Sequence, residues 1–273
     1  LDTDLGSDVD DVLALGVILG SPQLRLDAIT TVYGDTRLRA RLTRHALDRA
    51  GVDVPIAVGT AEPLSGKEVW WAGIEGELVE GLDAIPVDES LDAHAVLAAA
   101  ATVLAIGPLT NVARALGRDH RIGHVVAMGG YFGPDPDRSE HNVGSDVVAA
   151  RAVVDSGVPL TVIGLEQTTR VELGADAVAA FDHGAFGSFA AAEVRNFWRY
   201  WAATTNAPHD PLAVLMITDP ELFTFAAGTV TVRDDGVTRF APGEGPHQIV
   251  TDLDEERVVA VIVERLITTA GRG

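Results

Sequence analysis

Short runs of apolar, β-branched residues alternate along this chain with longer stretches whose apolar positions recur at helical spacing. The runs Leu26–Val32, Pro55–Val58, Thr102–Ile106, His124–Met128 and Leu160–Ile163 predict strands. Between them, Asp11–Leu19, Thr36–Ala50, Leu109–Leu116, Val147–Ser156 and Phe186–Thr204 predict helices. Such alternation predicts an α/β fold with a mainly parallel central sheet flanked by helices. From Phe223 to Thr251 the pattern becomes strand-rich, with a turn at Asp234-Asp235-Gly236, and a closing helix runs from about Asp254 to Thr268. Neither repeat nor long linker interrupts the pattern, so residues 1–273 read as a single domain. One spacing is tight. His94-Ala95-Val96 leads into Thr102-Val103-Leu104 with little room for a full helix and a turn.

Several strands end in Gly-containing turns: Tyr33-Gly34-Asp35, Ile106-Gly107-Pro108, Met128-Gly129-Gly130 and Ile163-Gly164. Ligands of open α/β sheets gather beyond the carboxyl ends of the strands, so these turns predict where a site lies.

Composition narrows the function classes. With 47% hydrophobic residues the chain can bury a large core, yet no run reaches the ~20 apolar residues of a membrane helix. The net charge of −20 argues against a nucleic-acid partner, which needs basic stripes. Cysteine is absent, which excludes disulfides and thiolate metal sites. Nothing points to secretion, so a cytoplasmic location is expected, although the chain opens inside its most acidic motif and a signal peptide ahead of Leu1 is compatible with it.

That motif, Asp2-Thr3-Asp4-Leu5-Gly6-Ser7-Asp8-Val9-Asp10-Asp11, places five aspartates in ten positions before an apolar run. Helix capping accounts for one or two of them. Five mutually repelling carboxylates call for a hard divalent cation with oxygen ligands. Ile106-Gly107-Pro108-Leu109-Thr110-Asn111 offers a strand-end carbonyl as a further oxygen donor, but taken alone it reads first as an ordinary strand-to-helix turn. Glu140-His141-Asn142 lies in a polar loop and can bind vicinal hydroxyls. His209-Asp210-Pro211 sets an imidazole beside a carboxylate at a stiff helix start. Trp198 and Trp201, on one helical face, read as core packing, with stacking on a base as the alternative. Trp70-Trp71 lies in a Gly/Glu-rich stretch that reads as a flap, and His183 and His247 receive no function.

Taken in order, Asp2-Thr3-Asp4-x-Gly6-x(3)-Asp10-Asp11-x-x-Ala14-Leu15, Ile106–Asn111, Met128-Gly129-Gly130, Glu140-x-Asn142 and His209-Asp210-Pro211 resemble the inosine–uridine-type nucleoside hydrolases over nearly the whole chain. The resemblance implies a Rossmann-like nucleoside hydrolase fold with Ca2+ at the sheet's carboxyl edge. It also implies hydrolysis of the N-glycosidic bond of ribonucleosides, a role in nucleoside salvage, and a homodimer or homotetramer. By position, Asp4, Asp11, the Ile106 carbonyl and Asp210 are the implied calcium ligands, and Asp10 the base activating a calcium-bound water. Glu140, Asn142 and Asp35 are the implied substrate binders, and His209 stands near the leaving base. Four departures accompany the match, one being that the loop before Glu140, Gly133–Arg138, lacks an Asn often used on the sugar. Ser7-Asp8-Val9 lengthens the aspartate loop, leaving Asp8 open to a metal or a base role. Asp35 stands where many members have Asn, and Ile74-Glu75-Gly76 replaces an expected His-Gly. Two rival readings follow: a calcium- and ribosyl-binding homologue without catalysis, and a Mg2+-dependent phosphohydrolase, for which Lys67 is the only lysine.

Overall fold

Strand residues alternate between two faces, and here both faces are covered. Along β4 (Thr102–Ala105) and β5 (His124–Met128), Leu104, Val126 and Met128 join one apolar core, while Val103, Ala105, Val125 and Ala127 join another. This computed structural model describes residues 1–272. The remaining strands are β1 (Asp2–Thr3), β2 (Ile29–Thr31), β3 (Ile56–Val58), β6 (Leu160–Ile163), β7 (Phe223–Val232), β8 (Thr238–Pro242) and β9 (His247–Leu253). They form one nine-stranded sheet in the order β3-β2-β1-β4-β5-β6-β9-β7-β8. All neighbouring pairs from β3 to β9 are parallel, and only β7 runs antiparallel, against both β8 and β9.

The helices are α1 (Asp10–Gly20), α2 (Thr36–Arg49), α3 (Ala93–Ala98), α4 (Thr110–Leu116), α5 (His141–Ser145), α6 (Val147–Val154), α7 (Leu165–Thr168), α8 (Ala175–Phe181), α9 (Gly184–Trp201), α10 (His209–Thr218) and α11 (Glu255–Ala270). The larger core takes residues from α1, α2 and α8 to α11, the smaller one from α3, α4 and α6. Every residue of α1 is buried, so it is a central helix wedged against α10 and α11. Among the described residues no helix is long and apolar enough to cross a membrane.

Strand order reverses at β1: the chain builds outward through β2 and β3, then returns to add β4 on the other side. That switch point opens a crevice at the carboxyl ends of β1 and β4, where Asp4 and Ile106 emerge. Gly107 keeps the two ends close, because a Cβ there would stand 2.7 Å from Asp4 Oδ1.

The elements differ from expectation in instructive places. β2 is shorter than Leu26–Val32 because β1 offers it only two paired residues; Leu24 and Leu26 pack on the core without joining the ladder. The tight spacing after His94 is met by a six-residue α3, capped by Asp92, whose side chain accepts from the amides of His94 and Ala95. Helix α9 stops at Trp201, three residues early, where Ala202 turns left-handed with φ 51°.

Candidate active site

Two helix N-termini meet at the switch point. Asp10 and Asp11 occupy the first turn of α1, and Asp210 the first turn of α10, where Pro211 costs no helical hydrogen bond. Each helix dipole favours negative charge there. Oxygen atoms of Asp10, Asp11 and Asp210 lie within 4.8 Å of one another, and all three residues are buried. Asp4 and Asp8 line the same cavity. Burial first, then mutual repulsion, pushes the carboxyls of Asp10 and Asp210 well above the ordinary range, and Asp11 rises by burial and the charge of Asp4. Burial raises Asp8 to about 6. Asp11 accepts a hydrogen bond from the Thr3 hydroxyl. Asp2 stays behind the site, accepting from Thr30 Oγ1 at 2.6 Å and Asn111 Nδ2 at 2.8 Å.

The cavity, about 270 Å3, continues along β4 and β5. Asn142 Nδ2 donates to the carbonyls of Ile106 and Met128, both at 3.2 Å, so the Ile106 carbonyl keeps one further lone pair. Glu140 caps α5, its carboxylate accepting from the amides of Asn142, Val143 and Gly130 at 2.6 to 3.0 Å. Burial nonetheless raises its pKa. His209 bonds through Nδ1 to Thr168 Oγ1 at 2.7 Å, and burial lowers its pKa to about 4. Trp70, Phe197, Trp201 and Leu165 line the mouth. Asp35 is not brought here: its carboxylate caps α2, accepting from the Leu38 amide at 2.9 Å, and it does not line the cavity.

A model of the family described as inosine-uridine preferring nucleoside hydrolase matches residues 1–260. The chain belongs to this nucleoside hydrolase family. A probable uridine nucleosidase 1 of Oryza sativa subsp. japonica is 30% identical over 271 residues, covering 87% of this chain and 81% of the relative. The non-specific ribonucleoside hydrolase RihC of Klebsiella pneumoniae (strain 342) is 31% identical over 265 residues, covering 86% and 84%. Among solved structures, a plant nucleoside hydrolase (PpNRh1) superposes with a TM-score of 0.81 at 26% identity, covering 97% of each chain. This family member is thus an enzyme hydrolysing N-glycosyl bonds of ribonucleosides.

Several parts of this nucleoside hydrolase's site were not singled out by sequence. His141 sits edge-on to both Tyr33 and Trp70, with ring centroids 5.8 and 5.6 Å away. Thr168 orients His209. Arg39, fully buried, donates to the carbonyls of Tyr33, Asp4 and Leu5. Its charge opposes the burial effect at Asp4 and Asp11. Sequence hid Arg39 because α2 also carries Arg37, Arg41, Arg44 and Arg49, and nothing in that series marks one as interior. Of the two tryptophans read as core, Trp198 packs on it, whereas Trp201 is 48% exposed at the cavity mouth, since α9 overhangs the core at its end.

Proposed function

We propose that the cavity hydrolyses the N-glycosidic bond of ribonucleosides with a calcium ion held by the carboxylates of Asp4, Asp11 and Asp210 and the carbonyl of Ile106. The observation that carries this is the buried Asp10–Asp11–Asp210 cluster, whose oxygens lie within 4.8 Å of one another at two helix N-termini; it supplies two of the ligands and the base, and Asp4 and Ile106 line the same cavity. Burial and mutual repulsion there oppose ionisation of Asp10 and Asp210, an opposition that a bound cation would relieve. An all-oxygen set of carboxylates and a carbonyl suits calcium, whereas magnesium keeps more of its own waters. Calcium, when bound, keeps these carboxylates ionised and orders hydroxyls and water among them.

Asp10 is the general base that takes the proton of the attacking water; Asp8 lies close enough to share its hydrogen bonding. Glu140 accepts from ribose hydroxyls, and Asn142, with its Nδ2 engaged by two carbonyls, presents its amide oxygen to the same sugar. As the base departs, positive charge grows on the ribosyl ring, and the surrounding carboxylates stabilise it. His209 works as a neutral donor. With a pKa of about 4, on the order of one imidazole in a thousand is charged at pH 7. In the tautomer whose Nδ1 accepts from Thr168 Oγ1, Nε2–H is left for the leaving base. Trp70, Phe197 and Trp201 at the mouth offer faces for that base. A phosphohydrolase would need a cationic phosphate cradle, and the single lysine, Lys67, instead donates to the Gly144 carbonyl at 2.7 Å.

The test is base release from inosine, adenosine, uridine and cytidine, with calcium and with chelator. Release is expected with calcium, to be lost on chelation, and to fall by about 10³ in Asp10→Ala with the fold retained. Ribose binding without release would favour a binding homologue, and chelator-insensitive release would overturn the calcium assignment.

A further inference from the structure

The lengthened aspartate loop places Ser7 between two charged groups that the mechanism does not use. On one side Arg39 Nη2 donates to Ser7 Oγ at 3.2 Å. On the other, Ser7 Oγ donates to Glu75 Oε1 at 2.7 Å. Glu75 in turn accepts from the amides of Ala72 at 3.0 Å and Gly73 at 2.7 Å. Arg39 also stacks on Trp71, with its guanidinium carbon 4.8 Å from the ring centroid, and Nε donates to the Tyr33 carbonyl at 2.6 Å. Tyr33 itself holds φ 68°, and its hydroxyl accepts from the Trp70 amide at 2.8 Å. A guanidinium taken wholly out of water is costly unless its donors are used and its charge is answered. Here one hydroxyl carries that answer to a carboxylate.

We propose that Arg39, Ser7 and Glu75 form a relay, running from the buried guanidinium to a half-buried carboxylate, that sets the aspartate loop and the Trp70–Trp71 segment in one arrangement. The ribosyl end and the base end of the cavity are thereby organised together before substrate arrives. All three are positioning residues, acting through the backbone of residues 4–7 and 70–73. The functional side of the inference rests on the ribosyl-hydrolase reading above; its structural side does not.

Ser7→Ala removes the bridging hydroxyl and adds no bulk. Hydrogen exchange at the Ala72 and Gly73 amides is expected to speed up about tenfold, as for loss of one hydrogen bond to a charged group. For the best nucleoside, KM is expected to rise about tenfold with kcat within about threefold, since orientation of the base end is lost and the reacting groups are kept. In the double variant Ser7→Ala/Glu75→Ala the KM effects are expected to be non-additive, as both changes cut one chain. Unchanged exchange at Ala72 and Gly73, additive KM effects, or a fall in kcat at constant KM would each overturn the relay. Should Ser7→Ala fail to fold, Glu75→Ala is read by the same rise in KM and by faster exchange at the Leu5 amide of the aspartate loop, because Ala72 and Gly73 donate to Glu75 itself; an unchanged Leu5 amide would overturn the relay. If the wild type releases no base, the ribosyl-hydrolase reading fails alone. The exchange comparison, which uses neither substrate nor metal, then decides the relay by itself.

Discussion

Glu193 and Asp10 are both acids that burial has made reluctant to ionise, and their surroundings answer this differently. Asp10 shares its pocket with other carboxylates that one cation can satisfy together. Glu193, on α9, meets the charge of Glu77, and its Oε1 is buried without a hydrogen-bond partner. Burial first, and Glu77 second, raise its pKa from 4.5 to about 7. The folded state therefore holds this proton more tightly than the unfolded chain does. Stability is full below about pH 4.5 and is lost as pH rises towards 7, so the cost is greatest in alkaline buffer. Glu193→Gln is expected to stabilise the fold by about 2 kcal/mol at pH 8, allowing for the part of the side chain left in water, and by little at pH 4. Chemical unfolding at the two pH values measures this directly. An equal gain at both would show that packing, not charge, limits this position.

At the scale of elements, α2 shows how a residue at a strand-to-helix turn can serve the helix and not the ligand. Asp35 follows Tyr33-Gly34 at the carboxyl end of β2, yet its oxygen is taken by the Leu38 amide. Asp35→Ala is expected to destabilise the protein by about 1 kcal/mol, the usual cost of losing such a cap, with kcat and KM for nucleosides unchanged within about twofold. A rise in KM of tenfold or more would return Asp35 to the sugar. The same scale explains what sequence could disclose. β4, β5 and β6 stood out because their residues are buried on both faces, and α1 because its acidic start precedes an unbroken apolar run. Of α10 only the start at His209–Pro211 showed, since Asp210–Met216 is buried all round and has no amphipathic period. Asp4 and Asp11 were legible because aspartates crowd in residues 2–11, whereas Ile106 and Asp210 were assigned only through the resemblance to the nucleoside hydrolases. The relay was not: Ser7, Arg39 and Glu75 come from three segments and meet only through the sheet's crossover.

For the molecule as a whole, a net charge of −20 and a buried carboxylate cluster are expected to make stability depend on cation and pH together. A ligand that binds only the folded state stabilises it by RT ln(1 + [L]/Kd), about 2.7 kcal/mol at a hundredfold excess over Kd. For a chain of this size that is a rise in Tm of roughly 5–10 °C. The carboxyls of Asp10, Asp11 and Asp210 are raised in the metal-free fold, so ionising them costs the folded state more as pH rises. The chelated protein should consequently lose stability as pH rises above the ordinary carboxyl range, whereas the calcium-loaded protein should not. The Tm gap between calcium and chelator is therefore expected to widen with pH. Simple screening of the surface charge predicts otherwise: sodium chloride at equal ionic strength would then reproduce the gap, and Asp210→Asn would keep it. Site binding requires that sodium chloride fail and that Asp210→Asn close most of the gap. Melting curves at pH 6 and pH 8 in calcium, chelator and matched salt separate the two, and a gap that narrows with pH would remove the cluster as the place where calcium acts.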